Sequence, residues 1–147
     1  MTTTGYDGHG PSEHREAEAV NFLGGLRASQ LSYFQTFHAY CGRPDQWAVH
    51  PNGIPGQKML PWRPITHDAW QHLGVQSPGE AVWYQYRFRA GGPDDPPPSE
   101  AFAAEDHGKP WFQIQAWSDF DGDGRFGIFE VTSRNSRPFM VSEDNHP

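Results

Sequence analysis

Cysteine occurs once in the 147 residues, at Cys41, so no disulfide can close within the chain. Basic residues are also scarce. Eleven Lys and Arg stand against 18 Asp and Glu, a formal charge of −7. General binding to a phosphate backbone needs clustered Lys and Arg, so nucleic acid is excluded as a partner. The chain shows no secretory leader, no lipidation motif and no run of about twenty apolar residues. Catalytic signatures are missing as well: there is no H-E-x-x-H, G-x-S-x-G, P-loop, dinucleotide fingerprint or cysteine-rich zinc spacing. His67 and His72 are five apart, which puts them on different sides of a helix, where they read as a cap or as surface groups. Cys41 lies close to His38, yet no acid is in view to orient that pair as nucleophile and base. The chain therefore reads as non-enzymatic.

What is present is acidic, aromatic and rich in turn residues. The segment Asp119-Phe120-Asp121-Gly122-Asp123-Gly124-Arg125-Phe126-Gly127-Ile128-Phe129-Glu130 matches the loop that EF-hand proteins wrap around calcium. Asp119, Asp121 and Asp123 occupy the first, third and fifth positions, and Gly124 supplies the positive φ at the sixth. Arg125 offers its carbonyl at the seventh, and Glu130 is expected to return two oxygens at the twelfth. Ca²⁺ is the expected cofactor, because a hard cation accepts six to eight oxygens in flexible geometry. The flanks do not read as helices. Lys109 to Trp117 alternates and is rich in aromatic and β-branched residues, and Gly127 to Ser133 also has strand character. A single such loop joining two antiparallel strands is a structural staple, with the binding energy of the ion appearing as folding energy.

Hydrophobic residues make up 35% of the chain and aromatic residues 14%, so the core must be built from few but bulky side chains. Residues 1–11 are small, polar and glycine-rich and read as a flexible lead-in; 12–147 read as one domain. Ser12 is a good N-cap for a helix reaching about Tyr40, with apolar positions at Val20, Leu23, Leu26, Tyr33, Phe34 and Phe37 and a bend at Gly24-Gly25. The stretch from Gly42 to Pro64 reads as irregular loop packed by Trp47 and Trp62, followed by a short helix capped by Thr66 and stopped by Gly74. From Val82 to Phe88 alternation places Val82, Tyr84, Tyr86 and Phe88 on one face and Trp83, Gln85 and Arg87 on the other. Further strands fall at Phe112 to Trp117, Ile128 to Thr132 and Phe139 to Val141. The expected architecture is α+β, a long N-terminal helix lying across a four-stranded antiparallel sheet.

With that order in hand, the chain resembles the soluble domain of type IV pilins and type II secretion pseudopilins whose last hairpin carries a D-x-D-G-D-G loop. Three stretches carry the resemblance: Glu16 to Phe34, similar to the second half of the pilin spine helix; Trp70 to Gly74 with Tyr84-Gln85-Tyr86; and Asp119 to Phe129. It implies a structural subunit of an extracellular or periplasmic filament, with other pilin-like subunits as partners and contact with the membrane only through an apolar half-helix upstream. The sequence departs from the family pattern in having no prepilin leader, no apolar N-terminal half-helix and no C-terminal cysteine pair. A second reading is a calcium-dependent polysaccharide-binding module, in which Trp83, Trp111 and Trp117 share a sheet face with Gln85, Gln113 and Gln115.

Overall fold

A computed structural model describes residues 11–143 of the chain; the expected lead-in up to Gly10 lies outside the described residues. The first element, α1, spans Pro11–Phe37. Among the side chains described in it, Ala19, Leu23, Leu26 and Gln30 are buried, and steps of four, three and four keep them on one stripe. Val20 lies one position off that stripe and is exposed, as is Phe37. The helix stops short of Tyr40 because His38 takes a left-handed φ of 59° while its N–H still reaches the Phe34 carbonyl at 2.7 Å.

Among the described residues seven strands follow: β1 (Ala48–His50), β2 (Leu60–Pro61), β3 (Ala81–Val82), β4 (Gln85–Gly91), β5 (Trp111–Ser118), β6 (Gly127–Thr132) and β7 (Phe139–Glu143). A short helix, α2 (Asp68–Leu73), lies between β2 and β3. Five strands form one antiparallel sheet in the order β1-β4-β5-β6-β7, and β2 pairs with β3 as a separate ribbon. The four-stranded sheet expected from sequence is thus corrected to five strands plus two. The added edge strand β1 is only three residues long and lies inside the segment read as loop. Its strand state comes from pairing with β4, Ala48 opposite Phe88 and His50 opposite Tyr86, and no local alternation announces it. The strand expected from Val82 to Phe88 is also interrupted at Trp83-Tyr84, which separates β3 from β4.

Alternation along the central strands assigns the two faces of the sheet. Tyr86, Phe88 and Ala90 on β4, Phe112, Ile114 and Ala116 on β5 and Val131 on β6 are buried in the core with Leu23 and Leu26 of α1. Each such large apolar side chain contributes about 1.5–3 kcal/mol on burial. Trp70 and Leu73 of α2 complete the core near β1, where the Trp70 indole donates to the Ala48 carbonyl at 3.0 Å. His67, not Thr66, caps α2, its Nδ1 accepting the Ala69 N–H at 3.1 Å; Gly74 closes the other end with a φ of 70°.

Polar anchors fix α1 on the sheet. Arg27 Nε donates to the Thr132 carbonyl at 3.1 Å, and the Glu18 carboxylate accepts the Trp83 N–H at 3.0 Å and the Tyr86 hydroxyl at 2.6 Å. No helix among the described residues is long and apolar enough to cross a membrane. The face of the sheet turned away from α1 carries Arg87 and Arg89 of β4, Gln113 and Gln115 of β5, and Glu130 of β6.

Candidate metal centre

The β5–β6 connection coils tightly. The Gly122 N–H returns to the Asp119 carbonyl at 3.2 Å, and positive φ angles at Gly122 (71°) and Gly124 (82°) turn the chain where a Cβ would be strained. This coil gathers three carboxylates. One oxygen from each of Asp119, Asp121 and Asp123 lies within 4.8 Å of the others, so the cluster could hold a metal ion.

The three are not equivalent. Asp119 is only 4% exposed; its Oδ2 accepts the Gly124 N–H at 2.9 Å, while its buried Oδ1 has no hydrogen-bond partner. A buried, unpaired carboxylate oxygen is costly, and a cation beside it removes the cost. Asp121 and Asp123 are exposed. Desolvation pushes the Asp121 carboxyl up; the Asp123 N–H opposes the rise, and the side chains of Asp123 and Asp119 add to it. Asp123 is pulled down, first by the Arg125 N–H. That N–H lies 2.9 Å from Asp123 Oδ1, and the Arg125 guanidinium lies 3.2 Å from Oδ2.

Glu130, expected as the twelfth-position ligand, is not brought to the cluster. The chain leaves the loop as strand β6, and an extended strand carries Glu130 away at about 3.3 Å per residue where an exiting helix would curl it back. Glu130 is instead 2% exposed on the outer face of the sheet. Its Oε1 accepts from the Gln113 and Gln115 amides at 2.7 and 2.6 Å. The donors gathered at the loop are therefore the three aspartates, with backbone carbonyls such as that of Arg125 as the remaining oxygens.

The loop is tied to the core through Phe120. Its ring meets Trp83 at 6.0 Å and Tyr84 at 5.5 Å, and the Arg15 guanidinium of α1 lies over both Phe120 (4.4 Å) and Trp83 (4.6 Å). The Gln57 side chain, which sequence reading missed, lies against Gly122 from the long connection between β1 and β2; no local motif marks it.

The expected tryptophan platform separates. Trp83 packs towards α1, and Trp111 is buried, ringed by Phe102 and donating to the Asp95 carbonyl at 2.9 Å under the proline-rich loop. Trp111 and Trp117 keep the outer face of β5 with Gln113 and Gln115, but of the two only Trp117 borders the open cavity there, and across the sheet the structure adds Trp47, whose ring lies under Arg89 at 4.4 Å. Cys41 is buried, and its thiol donates to the Ala69 carbonyl at 3.2 Å. Comparison with protein-family models, curated proteins and solved structures finds no match to this chain.

Proposed function

We propose that this chain is a non-enzymatic structural domain, stapled by calcium at its β5–β6 hairpin, that serves as a subunit of an extracellular or periplasmic filament. The observation that carries the staple is a buried oxygen without a partner on Asp119, one of three gathered carboxylates. An all-oxygen donor set suits a hard cation, and a coil with exposed second and third ligands suits the variable coordination of calcium better than the strict octahedron of magnesium. Without Glu130 the site has one carboxylate fewer than a full EF-hand loop. Its affinity then belongs with extracellular modules, about 0.1–1 mM, which millimolar extracellular calcium would fill.

The ion would neutralise the cluster, fix the register of β5 against β6 and, through Phe120 and Arg15, hold the first turns of α1. A 27-residue helix is about 40 Å long, enough to run past the edge of its own sheet. Val20, Leu31 and Phe37 are exposed along it, apolar area that neighbouring subunits would cover.

Calcium titration during thermal melting tests the staple. At free calcium about tenfold above Kd, linkage adds roughly 1.4 kcal/mol, a rise in Tm of about 3–6 °C. The rise should be absent in chelator and in Asp119→Ala, and a melting curve indifferent to calcium rules out the staple. Antibodies against the domain should label surface filaments on native cells, and uniform cytosolic label removes the filament assignment.

A further inference from the structure

On the outer face of the sheet, Trp47, Arg89, Gln113, Gln115, Trp117 and Glu130 enclose an open cavity of about 610 Å³, within the usual range for small-ligand sites. We propose that this cavity binds a single pyranose ring of a neutral oligosaccharide, independently of the aspartate loop.

The floor is unusual for the solvent side of a sheet. Glu130, Gln113 and Gln115 are all nearly buried, yet each is polar. They are locked into one network. The Trp117 indole N–H donates to Gln115 Oε1 at 2.7 Å, both glutamine amides donate to Glu130 Oε1, and Arg89 Nε donates to Gln113 Oε1 at 2.8 Å. Every bond in that chain leaves Glu130 Oε2 without a donor among the described residues. That oxygen belongs to a side chain only 2% exposed that lines the cavity, and is an acceptor available to a hydroxyl group.

The walls narrow the ligand class. Trp47 and Trp117 border the polar floor at two sides, each with one ring face covered by a guanidinium, and aromatic area beside polar groups is the combination that meets the C–H face of a sugar while hydroxyls find acceptors and donors. Guanidinium groups already lie over both indoles, Arg89 over Trp47 and Arg87 over Trp117 at 3.8 Å, so the rings' cation positions are taken and a positive ligand is repelled. An anionic ligand meets Glu130 on the floor and Glu100 at the rim, where Arg89 is already engaged with Glu100 at 3.9 Å. A neutral polyol remains. Phe126, 5.1 Å from Trp117, holds that indole in place before any ligand arrives.

The test is titration of the ¹⁵N-labelled full chain with cellotetraose, maltotetraose and chitotetraose, followed by NMR of the six indole N–H signals. At least one sugar should shift the Trp47 and Trp117 signals saturably with a Kd of about 1 mM or tighter, leaving Trp70 and Trp111 in place. Glu130→Gln should weaken binding about tenfold, the loss of one charged acceptor. Trp117→Ala should abolish it. If Trp117→Ala fails to fold, Val141→Lys at the rim, where the side chain is 46% exposed, blocks the same cavity with little effect on the core. Binding should persist in chelator and in Asp121→Ala, separating the cavity from the calcium staple. The proposal is overturned if none of the three sugars gives a saturable shift, if tetragalacturonate binds as tightly as the neutral sugars, or if chelator removes binding from a chain that is still folded.

Discussion

Gln30 shows how one side chain can close a helix end. It is fully buried on the core stripe of α1, and its amide makes two bonds of 2.7 Å with the backbone of Cys41, accepting the N–H and donating to the carbonyl. Both backbone groups of Cys41, in the turn beyond the left-handed His38, are thereby satisfied inside the protein. Gln30→Leu keeps the volume but orphans two backbone groups, at about 1–3 kcal/mol each. Urea denaturation should show a loss of about 2–4 kcal/mol, and an unchanged midpoint would mean that water replaces the amide. The clamped Cys41 is chemically quiet, because burial pushes its thiol up to about 11. At about pH 8 the folded chain should react with a thiol reagent far more slowly than the chain in urea; equal rates would show that the site opens readily. The aspartates of the loop were legible in the sequence because their spacing of two is a local property of the coil. Glu130 was misplaced for a non-local reason. Its direction depends on whether a strand or a helix leaves the loop, and the strand aims it at the glutamines of β5.

Among the elements, the central strands were readable because each buries one face and writes that face into its period, whereas the buried stripe of α1 includes Ala19 and Gln30 and leaves the expected Val20 and Phe37 exposed. Val82, Tyr84, Tyr86 and Phe88 are all buried, as their alternation indicates, even though the chain breaks between β3 and β4. Elements β1, β2 and β3 are two or three residues long, too short to carry a period, and exist only through their partners. The partner of the outer cavity was hidden for the same reason. Trp47 reaches Arg89 only because β1 docks at the edge of β4. Within α1, Gly24 and Gly25 are exposed, and a Cβ built at either would meet nothing within 4 Å. No packing reason for glycine exists at these positions, so its extra freedom in the unfolded chain is a net cost to the helix. Gly24→Ala and Gly25→Ala should each stabilise the domain by about 0.5–1 kcal/mol. Equilibrium denaturation checks this, and destabilisation by either would show that the glycines serve a surface contact or a bend.

At the scale of the whole molecule, Glu18 joins the helix to the sheet and sets how stability responds to pH. Its carboxylate is held by the Trp83 N–H and the Tyr86 hydroxyl, yet burial outweighs those bonds and pushes its pKa above the ordinary value of 4.5. The same negative charge adds to the burial that keeps the Tyr84 and Tyr86 hydroxyls protonated. Between 4.5 and the raised value the folded chain holds more protons than the unfolded chain, so stability falls as pH rises. The contribution is complete below 4.5 and lost as pH climbs through the folded value. Calcium works in the opposite direction, because the aspartates must be ionised to bind it and the staple weakens as pH falls. Chelator separates the two effects. With calcium removed, Glu18→Gln keeps the side-chain shape without the titration, so its stability relative to the native chain should grow as pH rises from 4.5 through the raised folded value and then level off. A difference between the two proteins that stays flat across that range would mean that the Glu18 site is hydrated in solution, and that the junction of α1 with β4 is looser than its hydrogen bonds imply.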